Sequence, residues 1–527
     1  MSIDGLPQML AANPDRQLRF VSLDGGMITK TFSQVHADVA GLMSELSSSG
    51  IGAGDLVGLL GPNTYEWAIA DLALIGLKCV SVALPAEMNV GSADLREMIE
   101  RYRLSGLLVT RAVPVGTELP PAVALLEERP LALSPARWPS ADRPVLPADV
   151  FTIAFSSGTT GSKKGLMLTR DGIENTIEVS SRAWEVRADD DILIVMPFSN
   201  FQQRYLLYLA ISAGCGASVV PPERMFFMLR SLKPTIILGP PSFYELVHNR
   251  VTAASPLARL PFVLLDACAP GPLSRPLRTR LGRKWTGMYG SRARLMFTGS
   301  APVPPQMVKW FQRLGAPLFE VYGTTETGWI AFNLPGRHRI GAAGRPVEGT
   351  EVEIGDDSEL IVRTKRPQAA GYVFDGLETA PSVFLPDGGI ATGDLGRLGP
   401  DGFLRLTGRK KNVIITRSGV KINPEELEAE IENACRVARA VVVPYEPGGL
   451  LACIAWLEDD VVKERAAELD AYITRANAAR DAPRRISRVV IRPAAELTVE
   501  SGLLTRNFKM DRNAVVRVVL GGQAGAP

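Results

Sequence analysis

The apolar run Val150-Phe151-Thr152-Ile153-Ala154-Phe155 passes directly into Ser156-Ser157-Gly158-Thr159-Thr160-Gly161-Ser162-Lys163-Lys164-Gly165. A short run rich in β-branched and aromatic residues reads as a buried strand. The ten residues after it hold three glycines, five hydroxyl side chains and two lysines. Glycine lets successive backbone N–H groups curl toward an anion. Hydroxyls add donors and a lysine supplies charge. The junction therefore predicts a strand running into a phosphate-binding loop, with Ser157, Gly158, Thr159, Thr160, Gly161 and Lys164 as its cradle. No G-x-x-x-x-G-K-[ST] pattern can be drawn through it, which excludes a Walker P-loop. The plain alternative is a surface loop of turn formers.

At 527 residues the chain is too long for one compact core, so more than one domain is expected. A net charge of +2 gives no bulk case for nucleic-acid binding. Cys79, Cys215, Cys268, Cys435 and Cys453 are scattered without metal spacing, and His36, His248 and His338 form no cluster. Unpaired thiols of this kind suit a cytoplasmic setting. The first residues lack the basic and apolar segments of a signal peptide. The apolar runs Trp67–Ile75 and Leu206–Ile211 are too short to span a bilayer.

Strand-like and helix-like stretches alternate over roughly the first three quarters of the chain. Leu56–Leu60, Ile192–Met196, Ala217–Val220, Ile236–Leu238 and Phe262–Leu265 are strand candidates, and Asn63–Leu77 reads as a helix. Such alternation predicts an α/β architecture with largely parallel sheets. The proline-rich stretch Val113–Ala148 reads as a connector. Pro270–Arg294 carries Arg275, Arg278, Arg280, Arg283, Lys284, Arg292 and Arg294; it reads as a solvated basic face, or alternatively as a docking patch for an acidic partner. Near residue 350 the texture changes to antiparallel strands at Val352–Ile354, Glu359–Val362 and Phe403–Leu406. Beyond Gly408 comes a compact unit: strand Val413–Thr416, helix Pro424–Cys435, strands Ala440–Val443 and Leu451–Leu457, helix Lys463–Ala479 and strand Arg488–Ile491. Its length is enough for an independent domain. The expected division is a large N-terminal domain, 1–407, a hinge at 408–412, a small domain, 413–520, and a disordered tail, 521–527.

Five further motifs carry chemistry. Leu295–Pro302 contains Gly299-Ser300-Ala301-Pro302, a turn after an apolar run. Phe319–Gly328 contains Tyr322-Gly323-Thr324-Thr325-Glu326, expected to follow a strand: an aromatic face to stack on a base, a hydroxyl for phosphate, and a carboxylate for a hard cation such as Mg²⁺. Thr392-Gly393-Asp394 precedes Gly408-Arg409-Lys410-Lys411-Asn412; a carboxylate can accept two sugar hydroxyls and an arginine can support sugar and phosphate. In Ser418–Glu428, Asn423 is expected to cap the helix that starts at Pro424. A last basic stretch, Leu503–Arg512, holds Lys509, which by itself reads as a solvated lysine.

In this order and spacing, from about residue 20 to about residue 517, the motifs resemble those of the adenylate-forming superfamily, which includes acyl-CoA synthetases, luciferases and peptide-synthetase adenylation domains. The chain is most similar in kind to long-chain fatty acid–CoA ligases. Leu238–Glu245 and Phe201-Gln202-Gln203-Arg204 resemble their acyl-pocket segments, and Leu503–Arg512 resembles their C-terminal lysine motif. The resemblance implies a large domain of parallel α/β sheets with a small β-barrel-like subdomain, followed by a small mobile α+β domain. It implies that Tyr322 and Gly323 hold adenine, with Gly299 and Ser300 lining the adenine and acyl pockets. It gives Thr325 to phosphate, Glu326 to Mg²⁺, Asp394 and Arg409 to the ribose, and Lys509 and Lys164 to catalysis. It places Asn200, Phe201 and Tyr244 at the acid, Gly419 and Lys421 along a tunnel for a thiol arm, and the pivot at Asn412. Three residues depart from the usual pattern: Asn200 where many relatives have histidine, Lys163 where proline is frequent, and Asn412 in place of a hinge aspartate.

The implied activity is ATP-dependent conversion of a carboxylic acid, a medium or long fatty acid by this likeness, to an acyl adenylate and then to acyl-CoA. The implied cofactors are ATP, Mg²⁺ and CoA, in a monomer or homodimer. Two alternatives stay open at this level: delivery of the acyl group to the phosphopantetheine of an acyl carrier protein, and a catalytically silent nucleotide-binding protein.

Overall fold

The computed structural model describes residues 1–110, 113, 121–127, 131–139, 142–156, 164–252, 291–301, 303–313, 315–374, 383–416, 420–435, 437–444, 450–457, 462–498, 500–505 and 510–521, and structural statements below concern these. Two large sheets dominate. One has nine strands, with a parallel centre that runs from Leu318–Thr324 through Leu295–Thr298, Ile236–Gly239, Asp191–Ile194 and Gly216–Val219 to Gln17–Val21. The other has seven, with Val150–Ser156, Val80–Ala83, Leu56–Leu60, Gly106–Val109 and Val123–Leu125 in parallel. Strands buried on both faces of a parallel sheet read as continuous apolar runs, and Leu56–Leu60 is buried at every position.

The two apolar runs too short for a membrane lie in helices Tyr65–Gly76 and Phe201–Ala213, each enclosed on nearly all sides. Both contribute to the largest hydrophobic cluster, which includes residues of both sheets. A helix apolar all round belongs in a core. Among the described residues, no helix is long and apolar enough to cross a membrane.

Helix Phe201–Ala213 carries an exception to its apolar character. Arg204 is fully buried and pairs with the equally buried Asp71 of the neighbouring helix at 3.5 Å. It also donates to Thr152 Oγ1 at 2.6 Å, in the strand that leads to the predicted phosphate loop.

A four-stranded antiparallel sheet, Thr350–Ile354, Glu359–Thr364, Ile390–Leu398 and Leu404–Arg409, occupies the place of the expected β-rich subdomain. After it come helix Pro424–Cys435, strands Arg439–Pro444, Leu451–Leu457 and Ile486–Pro493 in one sheet, and helix Val462–Ala479. This unit has its own hydrophobic clusters on the two faces of its sheet.

Some expectations need correction. The stretch read as a connector contributes a strand, Val123–Leu125, paired parallel to Gly106–Val109. Tyr322-Gly323-Thr324 does not follow a strand but forms the end of one. Asn423 does not cap its helix through Oδ1, which is buried without a hydrogen bond; its Nδ2 donates instead to the Thr407 carbonyl at 2.6 Å. Of the basic stretch, Arg294 forms an ion pair with Asp190 and donates to the Trp184 and Glu185 carbonyls, while Arg292 donates to the Asp189 carbonyl. These two tie loops together. Arg275, Arg278, Arg280, Arg283, Lys284 and the strand candidate Phe262–Leu265 lie outside the described residues.

Candidate active site

In open parallel sheets ligands bind beyond the carboxyl ends of the strands. Here those ends of the two sheets face each other, and Asn63 joins them. It follows strand Leu56–Leu60, its Nδ2 donates to the Met196 carbonyl at 2.8 Å, and its Oδ1 accepts from Phe198 N–H at 2.6 Å. Gln203 fixes the same loop from the other side, accepting from Val195 and Met196 N–H and donating to the Leu238 carbonyl. Asn200 closes this loop by capping helix Phe201–Ala213, its Oδ1 accepting from Gln202 N–H at 3.1 Å.

Strand Leu318–Thr324 supplies the first group. Its packing against Leu295–Thr298 is so close at Gly299 that a Cβ there would lie 2.6 Å from the Val321 carbonyl oxygen. Ser300 follows with φ +68°, a left-handed conformation that is uncommon for a residue with a side chain. Tyr322 is buried against Ile330, Ala343, Leu360 and Leu404. Its hydroxyl donates to Asp394 Oδ2 at 2.7 Å, and Arg409 Nε meets Asp394 Oδ1 at 2.6 Å. Burial, then the Asp394 charge, raises the Tyr322 phenol well above its ordinary pKa, so it remains a donor. Asp394 and Arg409 face each other because their strands pair in that register.

The turn beyond the strand is held by the edge of the other sheet. Thr324 and Thr327 bond each other across it. Gln368 donates to the Thr325 carbonyl at 2.9 Å, and Ala369 N–H donates to the Glu326 carbonyl. Tyr372 donates to Glu326 Oε1 at 2.9 Å. Tyr372 pairs with Leu166, two residues beyond Lys164, at the start of strand Lys164–Thr169. Glu326 and Thr325 are thus held, in the turn that follows Tyr322, against the edge strand Ala369–Tyr372, which pairs with the strand that Lys164 begins.

Among the described residues no group of three or more His, Cys, Asp or Glu forms a metal cage. A single carboxylate such as Glu326 still fits Mg²⁺, which is commonly held by one or two carboxylates together with substrate phosphates.

The other expected residues have surroundings of their own. Phe201 packs in the core against Phe151 and Tyr208, and Tyr244 is fully buried with its hydroxyl on the Phe297 carbonyl at 3.0 Å. Lys421 is exposed, paired with Ile415 in a two-stranded ladder. Asn412 ends a 3-10 turn, with its Nδ2 on Glu425 at 2.5 Å. Ser157, Gly158, Thr159, Thr160, Gly161, Gly419 and Lys509 lie outside the described residues.

Sequence reading missed Asn63, Gln368 and Tyr372, and gave no role to Gln202. The Gln202 carboxamide accepts from Ser300 Oγ at 3.2 Å and donates to the Gly323 carbonyl at 3.4 Å. Its place within an acyl-pocket-like segment was the one available signal.

Glu320, two residues before Tyr322, gives a pH-dependent expectation. Burial pushes its carboxyl up to about 8, only partly offset by the Gly341 N–H at 3.0 Å. Below the ordinary value of 4.5 it is protonated in both folded and unfolded chains. Above that the unfolded chain ionises while the folded one keeps its proton. Stability therefore falls as pH rises from 4.5, and the loss is complete near 8. Melting temperature followed from pH 5 to 9 should show this decline in the parent and a flatter profile in Glu320→Gln; parallel profiles would remove Glu320 as the cause.

The sequence matches the AMP-binding enzyme family over residues 9–374. It is 27% identical to the long-chain-fatty-acid–CoA ligase FadD15 of Mycobacterium bovis over 571 aligned positions, covering 95% of this chain and 93% of that one. It is 28% identical, over 84% of this chain and 88% of the other, to the 3-[(3aS,4S,7aS)-7a-methyl-1,5-dioxo-octahydro-1H-inden-4-yl]propanoyl:CoA ligase of Rhodococcus jostii. The structure resembles that of o-succinylbenzoate CoA synthetase from Bacillus subtilis in complex with its acyl-adenylate intermediate, with a TM-score of 0.69, 20% identity and 97% of each chain covered. The same enzyme in complex with ATP and magnesium ion gives a TM-score of 0.66 at 20% identity, covering 93% of this chain and 95% of that one.

Proposed function

The chain belongs to the AMP-binding enzyme family, and on that premise we propose that it activates a medium- or long-chain carboxylic acid with ATP and transfers the acyl group to CoA. The observation that carries this reading is the Tyr322–Asp394–Arg409 triad beside Glu326, at the carboxyl ends of the parallel strands. Asp394 is the acceptor for ribose hydroxyls and Arg409 its support, with Tyr322 and Gly323 beside the base. Thr325 and Lys164 face the phosphates, joined by the loop Ser157–Gly161 and by Lys509. Glu326 would hold Mg²⁺, whose charge would neutralise phosphate oxygens.

A carboxylate oxygen attacks the α-phosphorus and the bond to pyrophosphate breaks. The product acyl adenylate then loses AMP to an attacking thiolate, giving the thioester. Charge builds on phosphate oxygens in the first step, so fixed cations and donors are the effective catalysts there.

The small domain would turn about the segment around Asn412. Arg409 and Lys410 are anchored on the large domain through Asp394, Asp357 and Glu359. Asn412 is bonded to Glu425 at the start of helix Pro424–Cys435. The change of attachment falls between residues 410 and 412. Any such turn must also break the Arg439–Glu245 ion pair and the hydrogen bond from Gln306 to the Asn433 carbonyl.

Pyrophosphate exchange over a panel of acids tests the reading. Exchange that depends on a fatty acid supports it, exchange with ring-bearing acids alone moves the substrate class, and exchange with none overturns it. AMP release with CoA against holo acyl carrier protein then identifies the acceptor.

A further inference from the structure

Two unusual backbone features meet at one side chain outside the residues assigned above, and a third adjoins them in the chain. Gly299 has no room for a Cβ, Ser300 is left-handed at φ +68°, and the ladder slips between Tyr322 and Gly323. Backbone outliers that cluster at a strand end are held there by their surroundings. The group that touches the last two segments is Gln202, in the first turn of the helix capped by Asn200. Its carboxamide orientation follows from its partners: the Gly323 carbonyl can only accept, so Nε2 faces it and Oε1 takes the Ser300 proton. Ser300 is exposed, and its hydroxyl direction is set by this bond.

We propose that Gln202 is a positioning residue for nucleotide binding: it holds Ser300 and the bulged Tyr322–Gly323 backbone at one fixed spacing from the Asn200-capped helix. The proposal rests on the ATP-binding part of the reading above and is independent of which acid is used. A methionine of similar length fills the space with neither bond. Two neutral hydrogen bonds lost from a positioning role correspond to about a tenfold effect.

The test is calorimetric binding of ATP with Mg²⁺ to the full chain, with melting temperature recorded alongside. Gln202→Met should bind ATP about tenfold more weakly while keeping a single cooperative melting transition close to that of the parent. Ser300→Ala should weaken binding in the same direction, and the double variant should be no worse than Gln202→Met. Gln202→Glu adds a signature that packing alone would not give. Ionised, its carboxylate repels the Gly323 carbonyl; protonated, it can donate there and accept from Ser300. ATP binding by Gln202→Glu should therefore recover toward the parent as pH is lowered. Unchanged affinity in Gln202→Met, additive losses in the double variant, or a pH profile of Gln202→Glu parallel to the parent would each overturn the proposal. A parent that binds ATP but exchanges pyrophosphate with no acid would count against the proposed function and leave this inference standing; a parent that does not bind ATP would overturn both.

Discussion

Asp394→Ala should lower kcat/KM for ATP by about two to four orders of magnitude in pyrophosphate exchange. An ionised carboxylate has about four acceptor positions. Here Oδ2 takes the Tyr322 hydroxyl and Oδ1 takes Arg409 Nε, which fix the orientation of the carboxylate that the proposed function gives to the ribose hydroxyls. A hydrogen bond to a charged acceptor contributes about 1.5–3 kcal/mol, so losing two costs about 3–6 kcal/mol. Alanine also strands the buried Tyr322 hydroxyl, while the Arg409 side chain, 45% exposed, can turn to water. The decisive comparison uses 3′-deoxy-ATP. The parent should discriminate against it, and Asp394→Ala should treat it and ATP alike. Tyr322→Phe, which removes one donor and leaves the carboxylate, should keep the discrimination. If Asp394→Ala still prefers ATP over the deoxy analogue, the ribose is read elsewhere.

The parts of this molecule that were legible beforehand are those specified by short-range pattern. Helix Pro424–Cys435 and strand Leu451–Leu457 run between the residues expected, because a proline start and an unbroken apolar run are local signals. Strand Val150–Ser156 does the same for the loop junction. Strand Val123–Leu125 was hidden in a proline-rich stretch, since a three-residue strand is stabilised by its parallel neighbour and not by its own pattern. That Phe201 and Tyr244 would both be enclosed was not legible, because an aromatic next to a pocket segment looks the same whether it faces the pocket or the core. Asn423 had the residue type for a cap, but the Thr407 carbonyl engages its amide group. Gln202, Gln368 and Tyr372 act on partners between 43 and 121 positions away. Contacts of that kind depend on how two sheets face each other, which no local spacing encodes.

That facing of the sheets has its own requirement. The helices Tyr65–Gly76 and Phe201–Ala213 must fix the height of the loop at Asn200 against the strand at Thr152. Arg204 meets this with a guanidinium on Thr152 and Asp71, lying 5.0 Å from the Phe201 ring centre and 5.6 Å from that of Trp67. A directional polar contact fixes register in a way that apolar packing alone does not.

The same arrangement makes Asp71→Ala the substitution with the largest expected effect on stability, a loss of about 3–5 kcal/mol. Arg204 is wholly buried and a guanidinium does not give up its proton, so its charge needs a partner inside the core. Asp71 is that partner. Burial raises the pKa of its carboxyl, and the Arg204 charge, the Tyr208 hydroxyl and Ser81 oppose the shift. With alanine at 71 the cation keeps, among the described residues, the Thr152 hydroxyl and the neighbouring rings. Removing both charges should be far milder: Asp71→Leu with Arg204→Met leaves no unpaired charge, and replacing a buried pair by apolar groups of similar volume is often neutral or stabilising. Thermal unfolding of Asp71→Ala, Arg204→Met and the Asp71→Leu/Arg204→Met double variant checks this. The single variants should each melt well below the parent, and the double variant should recover most of the difference. A double variant as unstable as Asp71→Ala would show that the core needs these side chains for their shape and hydrogen bonds, and that the unpaired charge is not the source of the loss.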